Sequence, residues 1–131
     1  MPVVVDASTL IAKLTSSDDY VNSINEISYK ETFIAPDLII IETVSGLKKM
    51  RLRNEIDEEL FDSAYLKMEQ EDIILVPSKL FLPHLKPYLG QITAYDASYV
   101  ALATKLNFKL ITADKKLAKI AQKYCQVECF N

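Results

Sequence analysis

Four carboxylates stand where a carboxylate is awkward, against an apolar run or at a junction between strand-like and helix-like segments. Asp6 closes Val3-Val4-Val5, Glu42 follows Leu38-Ile39-Ile40-Ile41, Asp96 lies in Thr93-Ala94-Tyr95-Asp96-Ala97-Ser98-Tyr99, and Asp114 ends Leu110-Ile111-Thr112-Ala113. Three of them have ready local explanations. Asp114 suits a helix cap, Thr93 and Asp96 have capping-box spacing, and Asp6 suits a turn. Glu42 is harder to explain that way, because its neighbours on a helical wheel are Leu38, Ile39, Ser45 and Gly46, which do not make a solvated face. Gly46 costs a helix about 1 kcal/mol relative to Ala. It either leaves open space beside Glu42 or serves close helix packing.

If the four converge, they need compensation. Two charges ~5 Å apart at an effective dielectric of about 20 repel by roughly 3 kcal/mol, so all pairs together approach ~20 kcal/mol as an upper bound. Protons or cations must relieve that repulsion. Hard oxygen ligands without His or Cys select Mg²⁺ or Mn²⁺. Such an ion orients a phosphodiester, lowers the pKa of an attacking water and stabilises the leaving oxygen, and a pair of ions ~4 Å apart would serve the last two tasks. The chemistry that follows is phosphodiester hydrolysis.

The elements that must position these groups alternate in type. Val3 to Val5 reads as a buried strand feeding a helix from about Ala7 to Leu14. Asp18 and Asp19 can cap a second helix to about Ser28, with Val21, Ile24 and Ile27 at helical spacing. Phe33 to Ala35 suits a short strand, and Pro36-Asp37 opens a helix to about Met50. An amphipathic helix over Glu55 to Gln70 carries Ile56, Leu60, Ala64 and Met68 on one side, followed by a strand from Ile73 to Val76. Pro77, Pro83, Pro87 and Gly90 then limit any helix to short or broken pieces, predicting a mobile connection. Beyond it come a helix from Thr93 to about Leu106, a strand from Lys109 to Thr112, a helix from Asp114 to about Tyr124 and a last strand from Val127 to Phe130. The alternation, without hairpin signals, predicts an α/β sandwich around a parallel sheet. In such a sheet functional groups gather beyond the carboxyl ends of the strands. One cleft there can hold all four acids.

At 131 residues and 50% hydrophobic, the chain is expected to be one domain that buries roughly two thirds of its unfolded surface. Its apolar runs fall short of the ~20 residues that span a bilayer, and the first residues lack a secretory pattern, so a cytoplasmic protein is expected. Cys125 and Cys129 would lie ~13 Å apart in a strand, too far for a disulfide, and are expected to be free thiols. The net charge of −3 argues only weakly against a nucleic-acid partner. Neutralising the four carboxylates leaves +1, and the basic residues cluster as Lys48, Lys49, Arg51 and Arg53, and as Lys115, Lys116, Lys119 and Lys123. These are either phosphate contacts or solvated helix faces.

The residues resemble the PIN-domain family, and more closely its VapC-type ribonuclease toxins. The resemblance covers essentially the whole length. Its most specific segment is Thr93-Ala94-Tyr95-Asp96-Ala97-Ser98-Tyr99-Val100-Ala101-Leu102-Ala103, followed eighteen residues after Asp96 by Asp114, in order with Val4-Val5-Asp6-Ala7-Ser8 and Glu42. The likeness implies a three-layer sandwich with a five-stranded parallel sheet. It also implies a Mg²⁺- or Mn²⁺-dependent endoribonuclease whose metal is held by Asp6, Glu42, Asp96 and Asp114, with Ser8 and Thr112 holding water or orienting a carboxylate. A homodimer and a VapB-type antitoxin that wraps the early helices are implied as well. For Ser8 and Thr112, local capping and strand-end hydrogen bonding compete with that role. On this reading Lys48, Lys49, Lys115 and Lys116 contact RNA phosphates.

His84, the only histidine, is expected to be a solvent-facing loop residue rather than a base. Tyr95 and Tyr99, which flank Asp96, are expected to pack rather than to stack on a nucleotide base. A phosphoacceptor receiver domain fits poorly, because such domains pair acids after the first strand, where this chain has Ala7 and Ser8. A non-catalytic RNA- or protein-binding module and an RNA-processing nuclease without an antitoxin are the other readings.

Overall fold

The computed structural model describes residues 1–15, Ile24, Ile27 and residues 30–130. Five parallel strands form one sheet: β1 (Pro2–Val5), β2 (Thr32–Pro36), β3 (Ile73–Val76), β4 (Leu110–Thr112) and β5 (Val127–Cys129), in the spatial order β3-β2-β1-β4-β5. The central strand is the most apolar. Val3, Val4 and Val5 are fully buried, with Val4 paired to Ile34 on one side and to Leu110 on the other. A strand covered on both faces reads as a continuous β-branched run for this reason.

The helices are α1 (Ala7–Thr15), α2 (Ile39–Leu52), α3 (Glu58–Glu69), the single turn α4 (Ser78–Phe81), α5 (Ala94–Leu106) and α6 (Lys115–Ala121). α1 packs on α2 and α3, α5 lies against β1, β2 and β4, and α6 covers β4 and β5, giving the expected three-layer arrangement. Strand order reverses at the middle of the sheet. The chain runs outward from β1 through β2 to β3, then returns to β4 on the other side of β1. Between the carboxyl ends of β1 and β4 lies the topological switch point, where open α/β sheets have their clefts.

Several elements differ from the sequence expectation. Pro36 closes β2 rather than opening a helix, and Asp37 donates its backbone N–H to the Val76 carbonyl at 2.9 Å and accepts from Ser78 Oγ at 2.6 Å. α2 therefore begins only at Ile39. α3 starts three residues later than the amphipathic pattern suggests, because Asp57 caps it by accepting from the Leu60 N–H at 2.8 Å, leaving Ile56 buried ahead of the helix. In the proline-rich stretch the helical pattern is short and broken, as expected, and where the sequence predicts a mobile connection the chain forms a series of short helical turns. α4 continues into 3₁₀ turns over Leu82–His84 and Lys86–Tyr88, anchored by buried Phe81 and Tyr88. Tyr88 meets Tyr124 edge to face at 4.9 Å. Ile24 and Ile27 are helical and Ile24 is buried, but most of the helix expected near residues 18–28 lies outside the described residues. At Gly46 close packing is the outcome. A Cβ there would stand 2.4 Å from Ile11 Cδ1, so the glycine lets α1 and α2 approach instead of opening space beside Glu42.

Candidate active site

Asp6 is the most constrained of the four carboxylates. Following β1 directly, it caps α1 by accepting the Thr9 N–H on Oδ1 at 3.0 Å, and it is only 4% exposed. A carboxylate this deep must have its lone pairs satisfied. Ser8 Oγ donates to Oδ1 at 2.8 Å, and Thr112 Oγ1, from the end of β4, donates to Oδ2 at 2.5 Å. Thr9 Oγ1 lies within reach of both Asp6 Oδ1 at 3.0 Å and the Ile111 carbonyl at 2.9 Å, and its single hydrogen serves one or is shared. Burial nevertheless dominates, raising the Asp6 pKa despite these donors.

Ser8 and Thr112 also tie β1 to β4. Ser8 Oγ accepts from the Ala113 N–H and Thr112 Oγ1 accepts from the Asp114 N–H, each at 3.0 Å. The two hydroxyls lie 3.3 Å apart. Both hydrogens are already directed at Asp6, so that approach is proximity rather than a third bond. Thr9, whose side chain faces the same carboxylate, joins Ser8 and Thr112 without having stood out in the sequence. The only local signal for it was its position three residues after Asp6, where a helix N–H meets its cap.

Asp114 is the N-cap of α6, its Oδ1 accepting from the N–H groups of Lys116 at 2.9 Å and Leu117 at 3.2 Å. Asp96 occupies the first turn of α5. Thr93 caps that helix by accepting the Asp96 N–H at 3.1 Å, yet among the described residues no hydrogen bond engages the Asp96 carboxylate itself. Its pKa is raised to about 6, first by burial and then by Asp114, Glu42 and Asp6. The four acids from four different elements therefore share one electrostatic neighbourhood.

Glu42 sits in the first turn of α2, half-buried, and accepts the Tyr99 hydroxyl on Oε1 at 2.5 Å. Burial raises its pKa; the Tyr99 bond lowers it, Asp6 raises it and Lys49 lowers it. Tyr99 packs as expected, at 1% exposure, but its hydroxyl also reaches the site. Tyr95 does not pack. It is 61% exposed, because one residue from Asp96 on a helix it points to a different side.

Among the described residues no three Asp, Glu, His or Cys side chains form a ready-made metal cage. The Asp6 oxygens accept hydroxyl hydrogens and Asp114 Oδ1 accepts two helix N–H groups. The donor set still fits a hard divalent cation of the Mg²⁺ type, which uses a few carboxylates and keeps several waters. Asp96 and Glu42, whose pKa values are raised in part by neighbouring acids, would be stabilised as carboxylates by such a charge.

Beside Asp96 and Asp114 opens a groove of about 550 Å³, with Leu89, Ile92, Leu117 and Ile120 as apolar lining and Lys116 among its polar residues. Of the four lysines singled out, Lys116 lines this groove and Lys49 lies within electrostatic reach of Glu42. Lys48 and Lys115 are exposed side chains on α2 and α6. His84 is exposed on a 3₁₀ turn and contacts Lys105 Nζ at 3.0 Å. Cys125 and Cys129 are free thiols. No helix among the described residues is long and apolar enough to cross a membrane.

Comparison with known proteins agrees with this architecture. The VapC ribonuclease Mb0985 of Mycobacterium bovis is 29% identical over 125 residues, covering 95% of each chain. The crystal structure of PAE2754 from Pyrobaculum aerophilum superposes with a TM-score of 0.70 at 23% identity, over 97% of this chain and 83% of that one. VapBC2 from Rickettsia felis, solved bound to a DNA fragment from its promoter, gives 0.68 at 16% identity over 98% of each chain. The family model of the PIN domain matches residues 3–123. This chain belongs to the PIN-domain family.

Proposed function

We propose that this chain is a metal-dependent endoribonuclease that hydrolyses RNA phosphodiester bonds in the cytoplasm as the toxin of a toxin–antitoxin pair. The observation that supports the reading is how the acids are linked about the switch point of a PIN-domain sheet: Thr112 bonds both the Asp6 carboxylate and the Asp114 N–H, and Tyr99, on the same helix as Asp96, bonds Glu42. The ribonuclease assignment of the Mycobacterium bovis relative supports the substrate class.

In this reading Asp6, Glu42, Asp96 and Asp114 hold Mg²⁺ or Mn²⁺. When bound, such a cation polarises the phosphoryl oxygen and lowers the pKa of an attacking water. The chain's own groups do the positioning. Ser8, Thr9 and Thr112 keep the Asp6 carboxylate in one orientation, and Thr112 does so from β4, so the site's geometry depends on the sheet. Asp96, which no hydrogen bond engages among the described residues, keeps both oxygens for the cation or a proton. In the same reading Lys116, which lines the groove, and Lys49, within electrostatic reach of Glu42, neutralise RNA phosphates together with the exposed Lys48 and Lys115.

A VapB-type antitoxin and a second copy of the chain are the proposed protein partners. Exposed Ile41 and Leu52 on α2 and Leu66 on α3 give the early helices an apolar surface that a partner would cover. The decisive experiment uses purified chain, freed of any antitoxin, with single-stranded RNA. Cleavage should require Mn²⁺ or Mg²⁺, stop with chelator, and be lost in Asp6→Asn and Asp96→Asn while circular dichroism shows both variants folded. Absence of cleavage by the parent, or retention by the variants, would refute the proposal. Light scattering on the same preparation should give twice the chain mass.

A further inference from the structure

We infer that Tyr99 is a positioning residue for the metal site, its hydroxyl fixing the Glu42 carboxylate toward the cation; this rests on the metal-site reading above. The Tyr99 hydroxyl donates to Glu42 Oε1 at 2.5 Å across a sequence separation of 57. Among the described residues this is the only hydrogen bond the Glu42 side chain makes.

The two partners come from different helices. Glu42 lies in the first turn of α2, while Tyr99 lies on α5 one turn beyond Asp96. Positions three apart on a helix share a face, so the helix that presents Asp96 also presents the donor for Glu42. A flexible glutamate with three rotatable bonds would otherwise sample many positions at the mouth of a crowded acidic cleft. Occupying Oε1 leaves Oε2 as the oxygen without a hydrogen bond. The Tyr99 ring is packed within the core at 1% exposure, which gives its hydroxyl a well-defined position relative to Glu42.

A plain core tyrosine would need only some acceptor for its hydroxyl. What distinguishes this one is that the acceptor is an acid of the site itself. Partners that orient a metal-binding carboxylate typically contribute about 10- to 100-fold in metal affinity.

The test is Tyr99→Phe, which keeps the ring and removes one oxygen, with Mn²⁺ affinity read by titration calorimetry or electron paramagnetic resonance in the absence of RNA. Mn²⁺ binding should weaken by about tenfold or more, and cleavage should recover toward the parental rate as Mn²⁺ is raised to saturation. In the Glu42→Gln background the same substitution should leave the residual Mn²⁺ affinity unchanged. That second comparison removes any general effect on folding, since loss of structure would act in both backgrounds. If the parent binds Mn²⁺ and Tyr99→Phe binds it equally well, or if the loss persists undiminished in the Glu42→Gln background, the Tyr99 assignment falls alone. A folded parent that binds no Mn²⁺ would overturn the metal-site reading, and the Tyr99 assignment with it.

Discussion

Asp96 is the carboxylate most exposed to the others' charge. Burial, Asp114, Glu42 and Asp6 all push its pKa up, to about 6 from an ordinary value of 3.8. The linkage has a definite sign. In the unfolded chain Asp96 ionises near 3.8, while in the metal-free fold it holds its proton until about 6, so its contribution to stability is full below the lower value and is lost as pH rises through the upper one. Melting temperature measured with chelator should therefore fall between about pH 4 and about pH 6.5, and Asp96→Asn should flatten that dependence. A parent and variant with parallel pH profiles would argue against the clustering. The same proton competes with the cation, so Mn²⁺ affinity should decrease as pH falls through about 6. Asp6 and Glu42 shift in the same direction, chiefly by burial, so the parent's slope will exceed what Asp96 alone supplies.

Asp114 is a helix cap that the proposed site would share. Its Oδ1 caps α6 through two N–H groups, and its own N–H is held by Thr112. Asparagine caps a helix about as well as aspartate, whereas alanine costs about 1 kcal/mol. Asp114→Asn should thus keep stability in urea near the parent's while cleavage is lost, and Asp114→Ala should lose both. Equal stability for the two variants would mean the cap contributes nothing. At α5 the local rule is only half fulfilled. Thr93 caps as its spacing suggests, but the reciprocal arm from Asp96 is not made, which leaves that carboxylate for the cleft. The capping signal is legible in sequence because it spans three residues; whether the acid returns its bond depends on what else attracts or repels it.

If the proposed site holds a cation, its occupancy changes the charge of the whole molecule. On the proposed metal-site reading, offsetting all four acidic charges would take the formal net charge from −3 to +1, so phosphate binding should strengthen with the cation present. Within that field Lys116 lines the groove beside Asp96 and Asp114, and Lys49 acts on Glu42. Replacing both with glutamine should weaken RNA binding for all sequences and reduce the salt slope by about 0.7 for each phosphate no longer neutralised. An unchanged slope in filter-binding or fluorescence titrations would remove them from the interface.

Much of this protein is legible along the chain. Strand and helix alternation, the parallel sheet and the four acids all rest on local signals, periodicities of two or 3.6 and residues that sit badly in their own neighbourhood, which survive without knowledge of distant contacts. What only the tertiary structure decided is which groups meet. Thr112 reaches Asp6 across 106 positions, Tyr99 reaches Glu42 across 57, and Gly46 turns out to admit Ile11. The turns after β3, where the prolines predict short or broken helix and a mobile connection, are anchored by Phe81 and Tyr88 finding places in the core. Each of these depends on how the sheet order and helix approach set side chains against one another. No spacing in the sequence encodes that, because the contacts are settled by packing between elements rather than by the conformational preference of any one of them.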